Sequence, residues 1–593
     1  MRHHGWAHHH WTGESLQFVR RSVAAACLLA VSACGGVASG TTETTDTLTG
    51  PSADATAVQV EAVVAEPQTV DKAGRRSKRP NIVLVLMDDF SMDLVQTMRS
   101  VRDMRRRGAD YSHAFVVDSL CCVSRSSLFT GQYPHQTGVR TNTSGTASGM
   151  PLGGWPAFEG NGNPARSFNV ALQQAGYTTG FVGKYLNEYE WAPGRAVPPA
   201  PPGWSELNVV FGSAYDGWGF ASTTLNDGRL QIRQHDAPPL SAPMAVRDRA
   251  YAGSVIERYA LGFIKRHQAG AAPYFLKVAP YAPHNRTNPE PHYPGDPVFP
   301  PMFRDRPHDG KPGNCGRVAC AELTTRDLPG FGDSRKDNHP LTAKGKRTKQ
   351  WNTRPNPFRA AVSVNDLRNR AMMAQSVDRT VRKILRTVDD NTYVVFTSDN
   401  GFHLGQNGLG RGKGTAYDTD VHVPLLVVGP GVVKGRRAEL TSNIDLAPTF
   451  EELAGLAPQP YRFGASLVPT FADPAVVRRN HVFFEHTAQA LTKKDPDSAL
   501  TGDELDRIPS YVAVRSRTGL LIRYDFDNAP DRTDHGYEFY PYKNRVWEKT
   551  NSFAKPRYAA EVKLLRQKLK DFDLCAAQVG NEAVAATCRG ITS

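Results

Sequence analysis

Short apolar runs bounded by Gly, Asp or Pro recur along the chain from residue 80 onward. Such runs are typical of strands buried on both faces, and they occur at residues 82–87, 179–182, 274–279, 393–397 and 424–428. Helical patterns lie between them, and the clearest has its apolar face at Met373, Val377, Val381, Ile384, Leu385 and Val388. The alternation predicts an α/β fold with a large, mostly parallel central sheet flanked by helices.

The pattern changes twice along this part of the chain. Residues 285–360 are polar and rich in Pro and Gly, which predicts a long loop excursion of the kind that forms lids or binding surfaces. After residue 467, β-like runs at 482–484, 511–514 and 520–524 precede a final helix around 559–569. We therefore expect a main domain over residues 79–467 and a smaller C-terminal α+β subdomain over 468–593.

The first 78 residues have the composition of an export signal and a tether. Arg20 and Arg21 precede an apolar run at 23–33 that is too short to remain as a membrane-spanning helix, so 1–33 is predicted to be a signal peptide. Small residues before Cys34 resemble a bacterial lipobox, and cleavage with full secretion is the alternative. Residues 34–78 predict a flexible tether. We expect an exported protein, either a cell-surface lipoprotein anchored through Cys34 or a secreted one.

Composition excludes few functions. With 40% hydrophobic and 22% charged residues, the chain is ordinary for a globular protein. Its formal net charge of +13 favours anionic partners but does not specify any chemistry. No nucleic-acid-binding motif accompanies the charge, so we do not expect nucleic-acid binding.

The chain has eight cysteines, and four of them form two closely spaced pairs. In an exported protein, Cys315 with Cys320 and Cys575 with Cys588 are predicted to be disulfides, although sequence alone does not fix connectivity. Cys121 and Cys122 are adjacent, and neighbouring cysteines are poorly placed to bridge each other. At least one of these two thiols therefore needs another explanation.

Oxygen-bearing side chains follow two predicted strands. Asp88 and Asp89 come directly after the run at 82–87, and Asp399 and Asn400 follow the run at 393–397. Ligands of open α/β sheets bind beyond the carboxyl ends of the strands. Such a cage of oxygens suits Ca²⁺ or Mg²⁺ better than zinc. Each motif alone is as readily a helix cap, but their combination predicts a divalent cation site.

The segment 121–131 then identifies a family resemblance. Cys121, Ser124, Arg125, Thr130 and Gly131 match the sulfatase signature C-x-P-S-R-x-x-x-x-T-G. Further matches follow in order at 183–189 (GKYLNEY), 282–284 (APH), 399–405 (DNGFHLG), 412–414 (GKG) and 444–449 (IDLAPT). The chain resembles the type I, formylglycine-dependent sulfatases of the alkaline phosphatase superfamily over about residues 80–580. It is most like the N-acetylglucosamine-6-sulfatase and extracellular endosulfatase branch.

The resemblance implies hydrolysis of sulfate esters on a sugar or aryl group, in a sulfated small molecule or glycan. Cys121 would be oxidised by a formylglycine-generating enzyme and hydrated to give the nucleophile. One divalent cation, most often Ca²⁺ with Mg²⁺ possible, would be held by Asp88, Asp89, Cys121, Asp399 and Asn400. A helix opening at Ser124 would add backbone N–H groups for the anion.

The family's remaining roles map onto basic residues of this chain. Arg125 would reach the nucleophile, Lys184 and Lys413 would neutralise sulfate, and His284 and Lys413 would protonate the departing oxygen. Lys184, His284, Lys413 and His403 are the predicted substrate-binding residues. For His403, and for His135 of the Tyr-Pro-His segment, a packing role is an equal alternative.

Two positions depart from the family pattern. Val123 stands where the signature usually has Pro, and Leu186 stands where many sulfatases have His. The residue that deprotonates the nucleophile is therefore unassigned. Two other functions stay open: a phosphoester or phosphonate monoester hydrolase of the same superfamily, and a glycan-binding pseudosulfatase that is not matured at Cys121.

Overall fold

The computed structural model describes residues 79–147, 150–226, 228–352, 358–488, 495–498, 505, 507–527, 534–542, 548–577, 580 and 582–593. The predicted signal peptide, the tether and the lipid anchor at Cys34 lie outside these residues. No helix in this part of the chain combines the length and the apolar character needed to cross a bilayer.

The central sheet has eight strands. They are β1 (Asn81–Met87), β2 (Ala109–Phe115), β3 (Thr178–Gly183), β4 (Glu206–Val209), β5 (Tyr274–Ala279), β6 (Thr392–Ser398), β7 (Leu425–Val428) and β8 (Gly435–Ser442). Their order across the sheet is β8-β2-β7-β6-β1-β5-β3-β4. All neighbours pair in parallel except β7, which runs antiparallel to β6 and β2. The predicted mostly parallel sheet is confirmed.

Helices cover both faces of this sheet. The longer ones are α1 (Arg99–Arg107), α2 (Cys121–Thr130), α3 (Ala252–His267), α4 (Ala360–Thr387), α5 (Leu446–Leu453) and α6 (Ala559–Cys575). Short helices span Pro134–Thr137, Gly154–Gly160, Asn163–Arg166, Phe168–Gln174, Met244–Ala250, Asp418–Val421, Pro469–Ala472 and Ala586–Arg589. The apolar stripe predicted from Met373 lies on α4, with Val388 as the residue that caps its C-terminal end, and it packs against the core.

Strand β1 shows why the central strands are continuously apolar. Val83, Val85 and Met87 point into a core layer shared with α3 and α4, whereas Ile82, Leu84 and Leu86 point into the opposite layer, beside α2 and α5. Because side chains alternate across a strand and helices cover both faces, every position of β1 is buried.

A second, antiparallel sheet follows in the C-terminal region. Its strands are β9 (Val482–His486), β10 (Ser510–Arg515), β11 (Gly519–Asp525) and β12 (His535–Pro541), paired in chain order. Leu565, Leu569 and Phe572 of α6 join Phe483 and Val514 in the core beneath it. The predicted C-terminal α+β region is confirmed, and so are both disulfides, Cys315–Cys320 and Cys575–Cys588.

The predicted excursion after β5 contains little regular structure. Residues 285–352 form four short 3-10 turns, at Phe303–Asp305, Cys320–Glu322, Thr325–Asp327 and Arg335–Asp337. Two-stranded ribbons form at Thr146–Ala147 with Met150–Pro151, Phe220–Asn226 with Arg229–His235, and His403–Leu404 with Arg411–Gly412. The third ribbon is the one that leads into the functional site.

Lys277 is a basic residue inside the sheet that has no charged partner in contact within the described part of the chain. Lys277 of β5 is 0% exposed, and its Nζ lies 3.6 Å from the ring centroid of Phe129. Among the described residues this Nζ has no hydrogen-bond partner. Burial, reinforced by the charge of Arg125, lowers the pKa of Lys277 well below its usual value. The folded protein therefore favours the neutral amine.

Replacing Lys277 by Met tests whether the buried Lys277 amine is neutral in the folded protein. The unfolded chain binds a proton at Lys277 up to its ordinary pKa, whereas the folded chain releases it at lower pH, so this residue costs stability increasingly as pH falls below about 10. We expect Lys277→Met to raise the free energy of unfolding near neutral pH by about 1–3 kcal/mol. The gain should shrink as pH rises toward about 10.

Urea unfolding of both proteins across this pH range measures the gain. Lys265→Met, at an exposed position of α3, is the control and should leave stability unchanged. A gain that does not vary with pH would contradict a buried, titrating Lys277.

Candidate active site

The carboxyl ends of β1 and β6 hold the first four candidate residues. Met87 is paired with Ser398, so Asp88 and Asp399 leave the sheet side by side. The backbone N–H of Asp89 donates to Asp399 Oδ1 at 3.1 Å. Asp89 has a left-handed backbone, with φ of 58°, an uncommon conformation for a residue other than Gly. The side chains predicted from sequence to meet at this edge do so.

Cys121 enters the site as the first residue of α2. Its Sγ lies 3.5 Å from Asp88 Oδ1 and 3.7 Å from Asp89 Oδ1. The helix begins here and not at Ser124, so the positive end of its dipole lies beside the thiol. Cys121, Val123 and Arg125 are each 0% exposed. Burial raises the pKa of the Cys121 thiol well above its usual value, against the opposing charges of Lys184 and Lys413.

Arg125 lies one helical turn after Cys121 and connects three parts of the site. Its Nε donates to Asp399 Oδ2 at 2.7 Å, and its Nη1 donates to the carbonyl oxygen of Lys184 at 2.7 Å. Its Nη2 lies 3.7 Å from Asp88 Oδ1. Burial alone would lower the pKa of Arg125, but Asp399 and Asp88 outweigh it and keep the guanidinium charged.

Lys184 reaches the site from the end of β3. It follows Gly183, where a Cβ would lie 2.0 Å from the carbonyl oxygen of Ala279 and where φ is 112°, so only Gly fits this close approach. Lys184 Nζ donates to Asp88 at 2.9 and 2.8 Å. Burial would lower the pKa of Lys184, but the Asp88 carboxylate raises it above its usual value.

Lys413 enters the site directly after the ribbon strand Arg411–Gly412. Its Nζ donates to Asp89 Oδ1 at 2.7 Å and lies 2.9 Å from Cys121 Sγ. Burial opposes its charge, but Asp497 and Asp89 hold the pKa of Lys413 well above its usual value. Lys184 and Lys413 therefore place two ammonium groups around residue 121.

His284 follows the cis Ala282–Pro283 peptide bond. Its Nδ1–H donates to the carbonyl oxygen of Asn285 at 2.7 Å, which directs Nε2 toward Asp89 Oδ2 at 3.6 Å. Burial would lower the pKa of His284, but Asp89 and Asp88 raise it above its usual value. The two carboxylates therefore favour the protonated imidazole, whose Nε2 faces the site.

Asp497 is a site residue that the sequence did not reveal. Its Oδ2 lies 3.1 Å from Lys413 Nζ, and its Oδ1 lies 3.2 Å from His284 Nε2. Asn142 Nδ2 donates to it at 3.1 Å. Burial opposes its charge, but Lys413 and His284 lower the pKa of Asp497 below its usual value. The Asp-Pro-Asp stretch from 495 to 497 signals only a turn, so no sequence pattern singles this residue out.

The donors present fit a divalent cation. One ligand atom from each of Asp88, Asp89, Cys121 and His284 lies within 4.8 Å of all the others, and all four residues are buried. Asp89 Oδ2 and Asn400 Oδ1 are buried acceptors without a hydrogen-bond partner among the described residues. Buried acceptor oxygens normally have a partner, and two of them facing a carboxylate cluster suit a hard cation. The predicted ligand set did not include His284.

Two further histidines occupy different surroundings. His403 is 0% exposed, and its Nδ1 lies 2.9 Å from Asp420 Oδ1. Asp420 also accepts a hydrogen bond from the backbone N–H of Thr415, which is two residues after Lys413. Asp420 therefore connects His403 to the loop that carries Lys413. The substrate-binding role of His403 stays a prediction. His135 lies 2.8 Å from Glu485 of β9 and packs on Phe572, at the contact with the C-terminal sheet.

Comparison with known proteins identifies the family to which this sequence is similar. The family model described as "Sulfatase" matches residues 80–456. The extracellular sulfatase SULF-1 homolog of Drosophila melanogaster is 30% identical over 468 residues, covering 76% of this chain and 35% of that protein. The N-acetylglucosamine-6-sulfatase of Homo sapiens is 28% identical over 438 residues, covering 71% and 69% of the two chains. The chain spans about a third to a little over half of the length of the first curated relatives.

Solved structures share the fold. The structure of BT4656 in complex with its substrate D-glucosamine-2-N,6-O-disulfate superposes with a TM-score of 0.55, at 20% identity, over 84% of this chain and 98% of that one. At this identity the likeness concerns the fold alone. The family resemblance predicted from the signature at Cys121 is confirmed by the family match over 80–456, and the chain belongs to the sulfatase family.

Proposed function

We propose that this protein hydrolyses sulfate esters carried on a sugar, with residue 121 in its formylglycine form as the nucleophile. The observation that carries the proposal is the position of Cys121 Sγ, 2.9 Å from Lys413 Nζ and 3.5 Å from Asp88 Oδ1 at the start of α2. A nucleophile there lies beside a cation and beside carboxylates that could hold a metal ion.

The cations around residue 121 suit an anionic sulfate group. Lys184 and Lys413 each carry a raised pKa and stay charged, and His284 directs a protonated Nε2 to the same space. The positive end of the α2 dipole, which begins at Cys121, adds to this positive potential. In a buried site these charges act with little screening, so they bind the sulfate and stabilise charge that develops during its transfer.

Two groups complete the chemistry when present. Hydrated formylglycine at residue 121 supplies a hydroxyl nucleophile. Asp88, Asp89, Asp399, Asn400 and residue 121 would hold a divalent cation, which we propose to be Ca²⁺ with Mg²⁺ as the alternative. When bound, it would supply the positive charge that lowers the pKa of that hydroxyl and polarises the sulfate oxygens. Arg125 fixes Asp399 through its Nε contact, and Lys184 fixes Asp88, so both strand ends stay in place.

The leaving oxygen of a sugar is a poor leaving group unless it receives a proton. His284 Nε2 and Lys413 Nζ are the two candidate proton donors, and Asp497 contacts both. We assign proton donation to His284, because its ordinary pKa lies much closer to neutrality than that of lysine. Asp497 is a positioning residue that keeps this imidazole protonated.

Location and partners follow from the same proposal. The Drosophila relative is an extracellular sulfatase, and the two disulfides favour an oxidising compartment. We propose export, with a formylglycine-generating enzyme as the maturation partner and a sulfated sugar as the substrate. Attachment through Cys34 stays a prediction.

Substitution of Cys121 tests the nucleophile. We expect Cys121→Ala to lower turnover of an aryl sulfate by at least about 10³-fold, the scale on which loss of a nucleophile acts. Cys122→Ala removes the neighbouring buried thiol, which hydrogen-bonds with Asn187 and Ser126, and should retain activity. Mass spectrometry of the tryptic peptide from the native host should show an aldehyde in place of the Cys121 thiol.

Three outcomes would overturn the proposal. An unmodified Cys121 thiol in active protein would remove the formylglycine mechanism. Unmodified, inactive protein that binds sulfated glycans would indicate a pseudosulfatase. Faster turnover of phosphate or phosphonate monoesters than of matched sulfate esters would assign the chain to the other hydrolase class.

Asp497→Asn tests the assignment of the acid. Loss of this carboxylate removes a group that raises the pKa of His284, so the imidazole loses its proton at lower pH. The alkaline limb of the kcat profile should move down by about one pH unit. Asp495→Asn is the control on the same loop: burial and the nearby Asp497 raise the pKa of Asp495 to about 7, so its carboxyl is already partly neutral. An unmoved alkaline limb in Asp497→Asn would sink the assignment.

Metal content tests the ligand set. Unmodified Cys121 offers a soft thiolate donor, whereas the hydrate offers oxygen, so maturation should shift preference from Zn²⁺ toward Ca²⁺ or Mg²⁺. We expect Asn400→Leu, which removes the buried Oδ1 acceptor, to lower Ca²⁺ affinity by about 10–100-fold. Equilibrium dialysis with elemental analysis measures this directly. Equal Ca²⁺ binding by wild type and Asn400→Leu would exclude Asn400 as a ligand.

A further inference from the structure

A groove of about 520 Å³ lies between α6 and the loop at residues 343–345. Phe553 and Val562 line its apolar part. One wall is formed by Lys563, Arg566 and Lys570, which share a face of α6 because they are three and four residues apart. The opposite face of α6 packs into the C-terminal core, so the basic face is directed outward by the fold.

The charge of this groove is of one sign. Lys344 faces the three cations of α6 from the loop, and no Asp or Glu is among the residues that line the groove. Within the described part of the chain, none of these four cations has an ion-pair partner. Arg566 lies 5.1 Å from the ring centroid of Tyr537, which orients its guanidinium. Cations usually have carboxylates interspersed among them, so an unbalanced groove favours an anionic ligand.

The basic surface also extends beyond the groove. Lys346, Arg347 and Lys349 are exposed on the loop that continues from Lys344. The cations therefore form a series along one loop and one helix face, with the groove between them. This arrangement matches a polymer that carries repeated negative charges better than it matches a single anion.

We propose that this groove is a second binding site, remote in sequence from Cys121, for the chain of a sulfated polysaccharide. The assignment rests on the proposed function, because that function makes a sulfated sugar the substrate and a polymer of such sugars would present repeated sulfate groups to both sites. The groove would hold the polymer and raise the local concentration of ester groups at residue 121. A concave groove accepts a single glycan chain, whereas binding to a lipid bilayer requires cations on a flat or convex surface.

The test compares two double variants with the same change in net charge. Lys563→Glu with Lys570→Glu reverses two charges in the groove, and Lys265→Glu with Arg386→Glu reverses two exposed charges on α3 and α4. Affinity for immobilised heparin, as a model sulfated polysaccharide, is measured by surface plasmon resonance over a range of salt concentrations. We expect the groove variant to lose about tenfold or more in affinity and to show a shallower salt dependence, since fewer counterions are released. The control should change by less than about twofold.

Kinetics provides the second measurement. The groove variant should raise KM for a sulfated oligosaccharide while kcat and KM for a small aryl sulfate stay at wild-type values. Lys344→Glu changes the opposite wall without touching α6, so it should reproduce the loss of affinity even if the double variant of α6 folds poorly.

Each alternative outcome is distinguishable. Equal losses in the groove variant and the control would reduce the effect to net charge and overturn the proposal. So would tighter, groove-dependent binding to duplex DNA or to phosphatidylcholine vesicles containing about a quarter phosphatidylglycerol. Heparin binding that depends on the groove in a protein that turns over no sulfate ester would refute the proposed function and leave the groove assignment standing. Aryl sulfate turnover together with heparin binding that does not depend on the groove would refute the groove assignment and leave the proposed function standing.

Discussion

The structure depends on the register between two neighbouring parallel strands. Because Met87 of β1 is paired with Ser398 of β6, Asp88 and Asp399 emerge at the same height from the sheet. A shift of one residue would turn every side chain of β1 to the opposite core layer, so the two apolar layers fix the register and the register fixes the carboxylates. The hydrophobic core and the polar site are in this sense specified by the same pairing.

Burial of the site imposes a second condition, which is balance of charge. Asp88, Asp89, Asp399 and Asp497 lie in the same enclosed space as Arg125, Lys184, Lys413 and His284. Charges removed from water are tolerated only when they are paired and hydrogen-bonded. The carboxylates explain why the cations keep their protons, and the cations explain why Asp497 stays ionised. Each group therefore acts on the protonation of its neighbours as well as on a bound anion.

Sequence alone predicted the parts of this architecture that carry a strong local signal. The buried runs of β1, β5 and β6, the strand-end residues Asp88 and Asp399, and the signature at Cys121 were recognisable because hydrophobic period and motif spacing are local properties. Strands β2, β4 and β8 were missed because charged or polar residues interrupt their apolar pattern, and β4 and β8 also lie at the sheet edges. Asp497 was missed because its role depends only on tertiary placement, and the antiparallel direction of β7 has no sequence signature. His284 was predicted to act on substrate, and its closeness to the candidate metal ligands emerged only from the three-dimensional arrangement.

The complete burial of the first turn of α2 limits when residue 121 can be altered chemically. Cys121, Val123 and Arg125 are each 0% exposed, and the segment between them is helical. An enzyme that modifies residue 121 by binding this stretch in extended form would have no access to it once the helix has packed against the sheet. Under the proposed mechanism, maturation and folding would therefore compete for the same segment, and their relative rates would set the fraction of active molecules. Conditions that delay docking of α2, such as lower temperature during synthesis, would then favour a more fully converted population.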